Sequence, residues 1–194
     1  MPLISERDFS ALALRVHALL ADVPLHDVWA VDLPASCAGI TLNEFLDAAD
    51  DTHRTLSPVV RSLLAVRFFV GRIFRWDRIP SAAGSHAFAQ RLTPDDRARS
   101  LICPGEREGP FSVVYRFENE QLLEIANKTA HAAALSALIE IPGGYRYFFA
   151  IYVRNVSRLT PLYMALIDPV RKWIVYPSLL RGVRADWDRV MSAR

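Results

Sequence analysis

The sequence predicts an α+β domain: a curved antiparallel sheet wrapped around a long, proline-kinked C-terminal helix, with an extra helix at the N-terminus. Three observations predict it. Between Phe111 and Asn155 four apolar runs follow one another, separated by short polar turns. Within them, residues 111–117 and 145–154 alternate at the strand period of two. Before and after this block, apolar residues recur at helical spacing, and these segments open on a capping residue or a first-turn proline.

The elements follow in chain order. Residues 5–21 are expected to form the first helix. Ser5 caps it, with Asp8 three positions on, and Phe9, Leu12, Val16, Leu19 and Leu20 form its apolar stripe before Pro24 ends the segment. Residues 26–33 alternate as a strand, with Trp29, Val31 and Leu33 on one side and Val28, Ala30 and Asp32 on the other. Thr41 and Glu44 mark a capping box for a short helix over 41–50. Ser57-Pro58 opens a longer helix running to about Trp76, apolar along Val59, Val60, Leu63, Leu64, Val70 and Phe74. At ~100° per residue, Arg61, Arg67, Arg72, Arg75 and Arg78 fall within an arc of roughly 140° on that helix. The ordinary reading of such an arc is a solvated face. The sharper one is a face for anions, a membrane surface or a partner protein. Residues 80–109 carry loop signals, with Thr93-Pro94-Asp95-Asp96 as a capped turn of helix.

The sheet comes next. Phe111, Val113, Tyr115 and Phe117 share one side of the first strand of the meander, and Leu123 and Ile125 continue it beyond the turn at Asn119-Glu120. The alanines of residues 130–141 favour helix by propensity. The run into Pro142-Gly143-Gly144 is a hairpin signal, so a strand is expected, with His131, Ala133, Leu135, Ala137 and Ile139 on one face. Residues 145–154 form the last strand. The expected inward side then collects Phe111, Val113, Tyr115, Phe117, His131, Leu135, Tyr147 and Phe149. Thr160-Pro161 opens the final helix, whose apolar face holds Leu162, Tyr163, Leu166, Ile167, Val170, Trp173 and Ile174. Pro169 should kink it, Pro177 should bend or end it, and the tail beyond Gly182 reads as short or frayed helix.

Bulk properties exclude several classes. A chain of 194 residues, 52% hydrophobic and 23% charged, is long enough for one domain with a sizeable core, and all of 1–194 is read as that domain. Its net charge of +2 is far from that of a disordered or strongly basic nucleic-acid-binding chain, so no nucleic-acid partner is expected. Two cysteines, Cys37 and Cys103, build no disulfide framework. Charged residues interrupt the N-terminal stretch, and the longest uncharged run by the sheet, residues 129–139, is short of the ~18–20 residues of a membrane helix. A soluble, cytoplasmic protein is expected.

Several local runs resemble one family. They are Leu64-Ala65-Val66-Arg67 with Gly71, Lys128-Thr129-Ala130-His131, and Arg158-Leu159 followed by Tyr163, Ile167 and Pro169. Together with the order of strand, two helices, meander and long helix, they resemble the helix-grip fold of the START-like (SRPBCC) superfamily and, within it, the domain of unknown function 2867 family. The resemblance spans roughly residues 26–182. It implies a fold and a ligand pocket between sheet and C-terminal helix rather than a reaction. That branch often has a histidine just after the helix proline, where this chain has Arg171.

No cofactor or metal motif is present. His17, His26, His53, His86 and His131 are scattered, and no pair has ligand spacing. No phosphate-binding glycine loop and no nucleophile elbow occur. The first functional reading is therefore a binding protein for a small apolar or amphipathic molecule. Tyr115, His131, Leu135, Tyr147, Phe149, Tyr163 and Ile167 are its candidate pocket residues. The second is a cyclase, dehydratase or isomerase with His131 and a tyrosine as acid and base. The third is an interaction domain using the arginine face. A core histidine and aromatic packing are the structural alternatives for His131 and the tyrosines.

Overall fold

The computed structural model describes residues 5–35, 38–49, 87–126, 131–155, 165 and 168–192. The expected helix over 57–76 with its arginine face, the start of the last helix, and Tyr163 and Ile167 lie outside these residues.

Six strands form one antiparallel sheet. They are β1 (Leu25–Pro34), β2 (Arg107–Glu108), β3 (Phe111–Arg116), β4 (Glu120–Ala126), β5 (His131–Ile141) and β6 (Gly144–Arg154). Their spatial order is β1-β6-β5-β4-β3-β2, a meander with the first strand added to its far edge. The alanine-rich β5 is a strand despite its composition because β4 and β6 pair with it on both sides. Tertiary pairing overrides a propensity difference of a few tenths of a kcal/mol per residue. The hairpin signal holds too. Gly143 has a positive φ of 85°, and a Cβ on Gly144 would meet the Leu33 carbonyl oxygen at 2.3 Å. Glycine is what lets this turn lie against the end of β1.

The sheet is covered on both faces. On one, Val28, Ala30, Leu122, Ala133, Leu135, Ala137, Phe148, Ala150 and Tyr152 pack beneath the N-terminal segment and a 3-10 turn at Phe88–Arg91. On the other, Val31, Leu33, Leu138, Tyr145 and Tyr147 pack against α3 (Leu42–Ala49) and the C-terminal helix. Thr41 caps α3 through the reciprocal hydrogen bonds expected with Glu44.

This arrangement divides the expected inward side in two. Residues directly opposite across an antiparallel pair share a face. Leu135 stands opposite Ala150, whereas Tyr147 stands opposite Leu138. His131 and Leu135 therefore lie on the face away from Tyr147 and Phe149. A bulge in β3 makes the same division there: Val113 pairs with Leu123, but Tyr115 pairs with Leu122, one position off. Strict alternation cannot see an inserted residue, and one extra residue reverses every side chain beyond it.

The expected first helix is two short ones, α1 (Glu6–Ser10) and α2 (Arg15–Leu19). Ser5 caps α1 by accepting from the Asp8 amide at 3.1 Å. The residue preceding α2, Leu14, offers no side-chain cap. The break is held instead by Glu120 of β4, whose carboxylate accepts from the Arg15 amide at 2.8 Å and the Val16 amide at 2.9 Å. Between the 3-10 turn and β2, α4 (Pro94–Arg99) carries the capping box expected from Thr93 and Asp96.

The C-terminal helix is helical over 168–192. A π-helical turn, Arg171–Val175, interrupts it before α5 (Tyr176–Ser192), with the Tyr176 amide bonded to the Arg171 carbonyl five residues back. Pro177 sits in the first turn of α5 and has no amide to give. The wide turn before it absorbs that mismatch, so this proline bends the helix without ending it. The tail is not frayed. Leu180, Val183 and Trp187 recur at helical spacing and are buried against α3 and the sheet.

A candidate site between the sheet and the C-terminal helix

β1 starts with a bulge. Leu25 pairs with Tyr152 and Asp27 with Ile151, so His26 is the inserted residue. Asp27, two residues before Trp29, lies on the same face as Trp29 and Phe149, towards the C-terminal helix, while the bulge puts Leu25 on the opposite face. That helix contributes Asp168, Arg171 and Lys172 at i, i+3 and i+4, and Tyr176 beyond the π turn.

Asp168 takes up the cations. His26 Nε2 lies 2.9 Å from its Oδ1 and 3.0 Å from its Oδ2. Arg171 donates to it at 3.2 Å, and the Lys172 ammonium is 3.5 Å away. Arg171 also donates to the Tyr176 hydroxyl, and its guanidinium lies 5.1 Å from the centroid of that ring. Tyr176 in turn packs against Trp29 and Phe149, each at 5.6 Å between centroids.

Asp27 is left over. Its side chain is 3% exposed, and its Oδ2 stands 3.7 Å from Arg171 and 3.8 Å from His26, in both cases beyond hydrogen-bond distance. Neither carboxylate oxygen has a hydrogen-bond partner among the described residues, and neither does the buried Trp29 Nε1. Burial raises the Asp27 carboxyl above its ordinary value, outweighing the pull of Arg171, His26 and Lys172, and the nearby Asp168 charge adds to the rise. For Asp168 burial also opposes ionisation. There the His26 hydrogen bond and the Arg171 and Lys172 charges prevail and hold it below the usual range. Burial pushes the Tyr176 hydroxyl up, so it stays protonated. The arrangement is a buried carboxyl able to accept, or when protonated to give, a proton. On the same face lie the unpaired Trp29 indole and the Phe149 ring, both packed on Tyr176.

A measurable consequence follows from linkage. Because the folded carboxyl of Asp27 is raised above 3.8, folding favours its neutral form. Its stabilising contribution is complete below pH ~4 and is lost as pH rises through the folded value. Asp27→Asn should therefore be more stable than the parent at pH 7, by about 1 kcal/mol. Urea titrations should show that gain shrinking towards pH ~4. Loss of stability at pH 7 would mean that the Arg171 attraction outweighs burial.

The residues expected from sequence are distributed otherwise. Phe149 is at this site. Tyr147 is on the same face but buried deeper, its hydroxyl 2.7 Å from Ser136 and pushed up to about 12 by burial. Leu135 is fully buried on the opposite face. Tyr115 is there too, donating to Glu120, and burial raises it well above its ordinary value. His131 is also on that face and 4% exposed. Its Nε2 is 3.0 Å from Glu124, and its ring stacks on Phe88 at 3.9 Å. Glu124 also accepts from the Phe88 amide at 2.8 Å. His131 thus pins the 3-10 turn to the sheet instead of facing the C-terminal helix. Sequence reasoning missed Asp27, Trp29, Asp168 and Tyr176. The signal available was the charged pair His26-Asp27 at the start of an apolar strand.

Among the described residues, no cluster of three His, Cys, Asp or Glu could hold a metal ion, and no helix is long and apolar enough to cross a membrane. No curated protein and no solved structure matches the chain. One family, described as a protein of unknown function (DUF2867), matches residues 19–178. With most of its length matched, this chain belongs to the DUF2867 family.

Proposed function

We propose that the protein binds a small amphipathic molecule between the Trp29–Phe149 face of the sheet and the C-terminal helix. In this reading it is a START-like domain. A sheet packed against a kinked C-terminal helix supports that placement. The observation that carries the binding reading is Asp27. A carboxyl buried without a hydrogen bond is costly unless something supplies one. The sheet face around it agrees. Leu123, Ile125, Ala134, Phe149 and Ile151 are only half-buried, while Leu122, Leu135 and Ala150 on the opposite side of the same strands are 0% exposed. One face is sealed, and the other keeps apolar surface beside an unsatisfied polar group, as a pocket for an amphipathic molecule would.

Native mass spectrometry of the purified protein tests this. A co-purifying small molecule is expected, and Ile151→Asp should abolish its retention while the protein still folds. Leu135→Asp, on the sealed face, should instead cost the fold itself. Protein that carries no small molecule, and whose unfolding temperature no lipid extract shifts, would overturn the reading.

A further inference from the structure

We propose that the ligand's polar end is a protonated amine, received by the two carboxylate oxygens of Asp27. This rests on the binding site proposed above. Four head-group chemistries can be compared against the groups present. A carboxylate or phosphate would lie close to both Asp27 and Asp168, and the nearby cations are already drawn to Asp168. A hydroxyl offers a single donor for two unsatisfied oxygens. An amide offers two donors but no charge. An ammonium offers three donors and one positive charge.

The local charge favours the ammonium. Asp27 and Asp168 face Arg171 inside the cluster, and Lys172 is 39% exposed at its rim. Arg171 and Lys172 are both drawn to Asp168, and the Asp27 carboxylate has no hydrogen-bonded cation among the described residues. The walls favour it as well. Trp29 and Phe149 lie on the face of the sheet that carries Asp27 and pack on Tyr176, and an aromatic ring face attracts a cation by roughly 0.5–2 kcal/mol. Trp29 Nε1 remains as a donor with no acceptor. It fits an oxygen a short distance along the ligand, so an amino alcohol satisfies more of the site than a bare amine. The apolar part of the ligand would lie over Phe149, Ile151 and Leu123, where the sheet face is half-buried.

The test uses the full chain and three probes with one apolar tail: decylamine, decan-1-ol and decanoate, each below its micelle concentration. Binding is read by calorimetry on the parent and on Asp27→Asn, with circular dichroism as the check on folding. Decylamine is expected to bind at least tenfold more tightly than decan-1-ol, and decanoate most weakly. In Asp27→Asn the amine should fall to the level of the alcohol. If the alcohol or the acid binds as tightly as the amine, or if Asp27→Asn keeps the amine preference, the head-group inference is overturned and the pocket stands. If none of the three probes binds, the pocket reading falls with it.

Discussion

Replacing Glu120 with alanine is expected to lower the stability of the fold by about 3–5 kcal/mol. Few exchanges of a single polar side chain should cost more here. Glu120 is 6% exposed and accepts three donors, the Arg15 amide, the Val16 amide and the Tyr115 hydroxyl. Two of these are the opening amides of α2, which has no side-chain cap of its own. The third belongs to a tyrosine that is fully buried and, through burial first and the neighbouring carboxylate second, remains protonated. Alanine leaves all three without an acceptor, in a place where each lost partner costs roughly 1–3 kcal/mol. Glutamine keeps the shape and one acceptor but turns an NH2 group towards donors, so its loss should be about half as large. Urea unfolding reads the total, and hydrogen exchange reads the cause. In Glu120→Ala the Arg15 and Val16 amides should exchange faster than those of β5. A loss under ~1 kcal/mol would mean that water replaces the carboxylate at no cost.

Glu120 also marks where the sequence was legible. Ser5, Thr41 and Thr93 each act within three or four residues of themselves, and all three caps were readable from spacing. The cap of α2 comes from 105 residues away, and no local pattern encodes it. The stripe of Phe9, Val16, Leu19 and Leu20 read as one helix because all four do face the sheet. What breaks the helix is a carboxylate on another element. The strands were legible for the opposite reason, since period-two alternation is local and strong in β1, β3 and β6. Their assignment to faces was not. It depends on register, and two bulges, at His26 and in β3, shift it. The candidate site was hidden for a different reason. Asp27 shares the Trp29 face by plain alternation, but its lack of a hydrogen-bond partner, and the approach of Tyr176 to Trp29 beyond a π-helical turn, depend on tertiary packing that spacing does not encode. His131, the imidazole the sequence singles out as a pocket and acid–base candidate, is buried. Its partners are Glu124 and Phe88, which sequence spacing does not reveal.

Trp187→Ala should be the most damaging apolar substitution among the described residues, with a loss of about 3–5 kcal/mol against a total stability of roughly 5–15. The residue lies in the stretch beyond Gly182, where the sequence offers a glycine, several charges and little apolar density. The structure makes it the anchor of the C-terminal helix. Its side chain is 0% exposed and packs on Phe45 of α3 at 5.4 Å and on Tyr145 of β6 at 5.3 Å. Its indole Nε1 donates to the Pro34 carbonyl, at the end of β1, at 2.8 Å. One side chain therefore joins the helix to three elements. Truncation removes the packing and leaves a cavity too large for its neighbours to fill. Phenylalanine at this position separates the two contributions. It restores most of the volume and leaves the Pro34 carbonyl unpaired, so Trp187→Phe should cost about 1–3 kcal/mol. The larger consequence reaches the candidate site. Trp187 holds the far end of the same helix that positions Asp168, Arg171 and Tyr176 over Asp27 and Trp29. If the helix moves as one rod, Trp187→Phe should weaken binding of the amine probe although it touches none of those residues. If the π-helical turn uncouples its two halves, binding should be unchanged while stability falls. Calorimetry on the folded variant decides between the two.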